Sequence, residues 1–149
     1  MHPTFAEHWL VQGLSPDARS ALYALGAVLE VEVDQVIIEA DAPNRHMYLL
    51  LEGAFKVNLP NRPQRPAGFT LGHRGPGDLL GEYSFLDALK PTARVTASTR
   101  GRVLRIPHGA LRDLLAEDPV MSSVIYRNML RYLVERLRAQ DEELDCVLF

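Results

Sequence analysis

Apolar positions along this chain recur in two rhythms. Between Pro16 and Gly26 they fall three and four apart, at Ala18, Ala21, Leu22 and Leu25, which predicts one buried helical face. Ser15 is placed as its N-cap, Pro16 in the first turn and Asp17 at the positive end, with Gly26 closing it. Phe5 to Val11, with Trp9 and Leu10, is a shorter helical candidate. From Val28 the period falls to two. Val31-Glu32-Val33 and the β-branched Val36-Ile37-Ile38 read as strands, and His46 to Leu51 as a buried strand. Phe55, Val57 and Leu59 alternate with Lys56 and Asn58; Pro60 to Gly68 is a proline-punctuated loop, and Phe69 to Leu71 returns. Val95-Thr96-Ala97 and Arg102 to Ile106 are two further strands. At Pro107 the helical rhythm resumes, with Ala110, Leu111, Leu114 and Leu115 on one face. Asp118 then caps a last helix that Pro119 opens and that runs to about Asp145.

Short strands between frequent turn signals predict a mostly β fold with flanking helices, a double-stranded β-helix or jelly roll. Residues 1–118 are expected to form this β-roll with its N-terminal helices. Residues 119–149 form a long C-terminal helix of the same domain. On that helix Tyr126, Leu130, Leu133, Leu137 and Leu144 keep a 4-3-4-7 spacing, with Gln140 at the heptad position between the last two. That spacing predicts a coiled-coil seam and a homodimer. Met121, Ile125, Met129 and Tyr132 lie beside the seam and are expected to pack on the roll. Arg127, Arg131, Arg136 and Arg138 are interrupted or followed by Glu135 and Asp141-Glu142-Glu143, so they read as a solvated face, not a nucleic-acid patch.

Composition narrows the class. The chain has 149 residues, one domain's worth, with 47% hydrophobic residues and a net charge of −3. That balance argues against a broad nucleic-acid surface. No apolar run approaches a membrane span, and residues 1–4 lack the features of a secretion signal. A single cysteine, Cys146, excludes an internal disulfide framework and fits a reducing, cytoplasmic compartment. Cys146-Val147-Leu148-Phe149 matches a loose prenylation pattern without an upstream polybasic segment, and a tail docked on the body or on a partner helix is the preferred reading. His2, His8, His46, His73 and His108 are scattered, with no metal-ligand spacing, and no nucleophile elbow or Walker loop is present. The expectation is a non-catalytic module with no cofactor and no metal.

The stretch with the most chemical content is Gly75-Pro76-Gly77-Asp78-Leu79-Leu80-Gly81-Glu82-Tyr83-Ser84-Phe85-Leu86-Asp87, continued by Lys90-Pro91-Thr92-Ala93-Arg94-Val95-Thr96-Ala97. Gly-Pro-Gly-Asp is turn chemistry. Gly81 leaves room for close backbone approach, and Tyr83 to Leu86 reads as one helical turn. Free N–H groups at such a turn suit a phosphate, and the neighbouring Glu82 carboxylate suits a sugar hydroxyl. Core packing is the expected role of the rings of Tyr83 and Phe85.

This ordered set resembles the phosphate-binding cassette of the cyclic-nucleotide-binding domain family, which includes the catabolite activator protein. The resemblance covers most of the chain, from about Leu14 to the final helix. It implies a regulatory module with a cyclic-nucleotide ligand, held by Gly81, Glu82, Tyr83, Ser84, Thr92, Ala93 and Arg94. It also implies a departure. Counting back from Val95, the family's phosphate-binding arginine falls on Pro91, which has neither charge nor N–H. Thr92 still offers a hydroxyl. Arg94 stands three residues later, shares a strand face with Thr92 and Thr96, and reads as a surface strand arginine ahead of a phosphate ligand. Asp34 and Ala40-Asp41 replace the family's glycine and Gly-Asp turns. Weak or altered cyclic AMP binding is therefore expected. The alternatives are a degenerate protein-interaction adaptor that binds no nucleotide and the effector half of a DNA-binding regulator. Family transcription factors carry a helix-turn-helix after the long helix, whereas this chain stops at Phe149, so no direct nucleic-acid binding is expected of it alone.

Overall fold

The computed structural model describes residues 1–64 and 68–148, the side chains of 147 and 148 excepted. Two four-stranded antiparallel sheets face one another. The strands are β1 (Ala27–Val31), β2 (Val36–Ile38), β3 (His46–Glu52), β4 (Phe55–Leu59), β5 (Phe69–Arg74), β6 (Leu79–Leu80), β7 (Arg94–Ala97) and β8 (Gly101–Pro107). One sheet runs β1-β8-β3-β6 and the other β2-β7-β4-β5, the chain crossing between layers as in a jelly roll.

The central strand β3 shows why the run His46 to Leu51 reads as apolar throughout. Its alternate side chains serve two cores. Tyr48 and Leu50 point into the roll and join Val31, Ile38, Phe55, Val57, Val95, Ala97 and Val103. Met47, Leu49 and Leu51 point outward and meet Leu104 and Ile106 of β8 and the helices. Each such fully buried leucine contributes about 1.5–3 kcal/mol.

The helices close the outer face. α1 (Pro3–Ala6) and a 3₁₀ turn (Trp9–Val11) precede α2 (Pro16–Ala24), which Ser15 caps by accepting a bond from the Ala18 N–H. Of the predicted face of α2 only Leu22 is fully buried; Ala21 is exposed, because the short helix touches the body along a narrow line. α3 (Glu82–Asp87) lies in the cassette, α4 (His108–Glu117) follows β8, and α5 (Pro119–Leu148) is the long last helix. Asp118 accepts from the Met121 N–H at 3.0 Å, the expected cap. Met121, Ile125 and Met129 are buried against the body, as expected.

Two of the turns between strands hold an aspartate in a left-handed backbone. Asp34 has φ 67° and Asp41 φ 61°, left-handed values that aspartate tolerates better than most residues.

Candidate functional site

The cassette is built from a β-turn, a two-residue strand and a short helix. Asp78 fastens the turn by accepting from the Gly75 N–H at 2.8 Å. The strand β6 then pairs with β3, Tyr48 opposite Leu80 and Leu49 opposite Leu79. Gly81 follows at φ 82°, the N-cap of α3. A side chain there would collide with the carbonyl of His46, so glycine is required on both conformational and steric grounds. The Gly81 carbonyl accepts from the buried His108 ring at 3.0 Å, which ties α4 to the cassette.

Within α3 the side chains diverge. Glu82 is 4% exposed and turns toward α5, where the Arg136 guanidinium stands 3.6 Å from its carboxylate. Burial pushes the Glu82 carboxyl above its ordinary range; a bond from its own backbone N–H and the charges of Arg136 and Arg74 pull the other way. Ser84, two residues on, is also buried but faces Asn44 and α4. Residues i and i+2 point away from each other on a helix, so Glu82 and Ser84 do not converge on one ligand group. Phe85 packs in the core, its ring 5.5 Å from His108 and stacked on Tyr126 at 6.3 Å. Tyr83 departs from the core-packing expectation. It is 52% exposed, with Arg136 over its ring at 5.8 Å.

Arg136 also lies 5.6 Å from the Tyr132 ring and donates to its hydroxyl at 3.4 Å. Tyr132 in turn stacks on Trp9 at 4.4 Å, and Trp9 meets the His8 ring at 4.8 Å in a tilted contact. The His8 ring reaches the Gly77 carbonyl at 2.8 Å, and burial lowers its pKa. A chain of contacts thus runs from the Gly77 turn through the N-terminal segment and α5 back to Glu82. Arg136 is only partly exposed and paired, unlike the solvated arginine the charge pattern suggested. Its signal was the spacing Tyr132 to Arg136, four residues apart on a helix. Arg74, a cation of β5 whose charge reaches Glu82, carried no motif.

The far arm of the cassette lies elsewhere. Thr92 is exposed, Ala93 packs at the edge of the inner core, and Arg94 bonds Glu39 at 2.7 Å, holding that carboxyl below its usual range. The Pro91 carbonyl accepts from the Asp41 N–H at 2.8 Å. Arg94 is thus committed to a surface ion pair, the role of a strand arginine.

The family model described as the cyclic nucleotide-binding domain matches residues 28–118. The chain belongs to the cyclic-nucleotide-binding domain family. Among relatives of this family, a CRP-like cAMP-activated global transcriptional regulator of Mycobacterium tuberculosis is 26% identical over the whole chain, which spans 64% of that protein. The Pycsar effector protein PaPycTIR of Pseudomonas aeruginosa is 29% identical over 91% of this chain and 41% of its own. The chain thus spans under two thirds of either relative. Its fold is shared with the N-terminal domain of a transcriptional regulator from Streptomyces coelicolor (TM-score 0.77, 24% identity, 92% of this chain and 94% of that one). It is shared too with the catabolite activator protein of Thermus thermophilus (TM-score 0.76, 24% identity, 93% and 62%).

The seam residues of α5 are largely on the surface. Leu130, Leu137 and Leu144 are 63%, 59% and 57% exposed, Tyr126 less so, and Leu133 is half-buried. Val134, which the heptad count passed over, lies exposed beside them. Cys146 is exposed, while the rest of the expected docking tail lies outside the described side chains. Among the described residues, no helix is long and apolar enough to cross a membrane, and no three His, Cys, Asp or Glu side chains converge as a metal site.

Proposed function

We propose that this chain is a non-catalytic regulatory module that answers weakly, or with altered preference, to a cyclic nucleotide and works as a homodimer through α5. One observation carries the reading. The cassette keeps its left-handed Gly81 and its buried Glu82, while Pro91 stands in the arginine position and Arg94 is held by Glu39. A ribose hydroxyl can bond Glu82, but the phosphate lacks the charge-assisted partner that the family supplies. The name of the mycobacterial relative, a cAMP-activated regulator, supports a cyclic nucleotide as the ligand class. The exposed apolar stripe Leu130, Leu137 and Leu144 supports a second copy as its cover. Because the chain spans only part of a transcription regulator, it also suits the effector half of such a protein.

A second reading, an adaptor that binds no nucleotide, draws on the Glu82–Arg136 pair: the carboxylate that would hold a ribose already has a partner. Calorimetry with cyclic AMP separates the readings. Binding in the micromolar range or weaker is expected. Submicromolar binding would overturn the loss assigned to Pro91, and the absence of binding by any cyclic nucleotide would leave the adaptor.

A further inference from the structure

The cassette has a second side. Between α3 and α4 opens a cleft of about 420 Å³, on the face away from Glu82. Its charged side chains are Arg45 from the loop before β3, Lys90 from the loop after α3 and Arg112 from α4; no carboxylate lines it. Among the described residues none of these cations has an ion-pair partner, whereas Arg62, Arg94, Arg100, Arg102 and Arg136 each have a carboxylate within 4.0 Å. In a chain of net charge −3 this is a local concentration of unneutralised positive charge.

The cleft walls are mostly apolar, with a few polar side chains set among them. Ser84 is 5% exposed and lines it, and among the described residues its hydroxyl has no hydrogen-bond partner. The other polar side chains there are engaged: the Asn44 amide donates to the His46 carbonyl, His108 bonds Gly81, and Arg112 donates one nitrogen to the Phe85 carbonyl while its plane rests over the Phe85 ring at 5.1 Å. That leaves Ser84, Arg45, Lys90 and the remaining edge of Arg112. The first turn of the ten-residue α4 adds to the same field. Its N-cap, Pro107, supplies no side-chain cap, and nothing stands within 4 Å of where a Gly109 side chain would be.

We propose that this cleft is a second ligand site, for the phosphate group of a small molecule. A phosphate offers several acceptor oxygens and a charge near two, which suits three converging cations and a hydroxyl. Pro43 and Leu89 form an apolar wall beside the cations, which fits the carbon skeleton of a phosphomonoester. The site is separate from the proposed nucleotide face and does not depend on it.

Amide NMR of the whole chain, titrated with inorganic phosphate and with phenyl phosphate, tests this. The expected result is a saturable shift at Gly109 and Ser84. Replacing Arg45→Gln and Lys90→Gln together, at two exposed positions outside both cores, weakens the response at least about tenfold. Ser84→Ala weakens it as well, while Arg100→Gln with Arg102→Gln, a remote surface change that removes the same two charges, leaves it intact. Tighter binding of phenyl phosphate identifies a phosphomonoester; equal affinities identify free phosphate. The proposal fails if neither probe gives a saturable shift, if the double variant responds like the parent, or if an acidic peptide shifts the same amides when neither phosphate does. Neither probe is a cyclic nucleotide, so this outcome stands apart from the cyclic AMP titration.

Discussion

Replacing Arg136 by glutamine should destabilise the chain in a pH-dependent way. The guanidinium lies 3.6 Å from a carboxylate that is only 5% exposed. At that separation and an effective dielectric of about 20, the gross attraction is about 4 kcal/mol. Desolvation of Glu82 offsets much of it, and the Arg136 side chain is 32% exposed, so solvent screens part of the rest. A net loss of about 2 kcal/mol at neutral pH follows, or a Tm lower by about 4–8 °C for a chain of this size. The sign with pH is fixed by Glu82. Its folded pKa is raised, so the fold is favoured when the carboxyl is protonated, and that advantage disappears as pH rises through the folded pKa. Removing Arg136 leaves the ionised carboxylate buried beside only the more distant charge of Arg74, raising the pKa further. The gap between parent and variant should therefore be widest at neutral pH and narrow in mild acid. Thermal unfolding across that range measures it. Arg136→Lys keeps the charge but loses the planar contact with Tyr83 and Tyr132, so it should show a smaller gap with the same trend. A gap that does not change with pH would refute the idea that Arg136 acts through the charge of Glu82.

Three further outcomes are expected. Pro91→Arg should tighten cyclic AMP binding by about 10- to 150-fold if its side chain reaches the phosphate, since hydrogen bonds to charged groups contribute about 1.5–3 kcal/mol, and Glu82→Ala should weaken what binding exists; calorimetry reads both. Leu130→Asp with Leu137→Asp should halve the mass seen by light scattering, because both side chains are mostly exposed on α5 and their loss spares the core. Asp34→Gly should raise Tm slightly, by relieving a left-handed backbone at φ 67°, while Asp34→Val should lower it by an amount worth about 1–2 kcal/mol.

The β-roll was legible because its strands carry their own evidence. His46 to Leu51 is apolar on both faces and serves two cores, and Phe55 and Val57 alternate inward. β6 carries no such evidence, since two residues hold no period. In the cassette, the need for glycine at position 81 was visible. The direction of each side chain was not. Glu82 and Ser84 were placed on one ligand, but a helical turn sets them on different faces, and only the docking of α4 and α5 decides what each face meets. Arg136 was hidden for the same reason. Charge spacing along α5 cannot tell a solvated arginine from one drawn under two tyrosines.

The join between α4 and α5 has a mechanical consequence. The two helices are separated by a single extended residue, Asp118, at φ −130°. α4 bears on the cassette at its first residue through His108, and α5 bears on it again through Arg136. α4 is about 15 Å long and α5 about 45 Å. The cassette therefore touches the pair at two separated points, at the start of α4 and about 27 Å along the α5 arm, so a shift of the cassette is transmitted to both helices. Asn128 makes the N-terminal segment ride on that arm, since its amide donates to the carbonyls of Leu10 and Gln12 at 2.9 Å each.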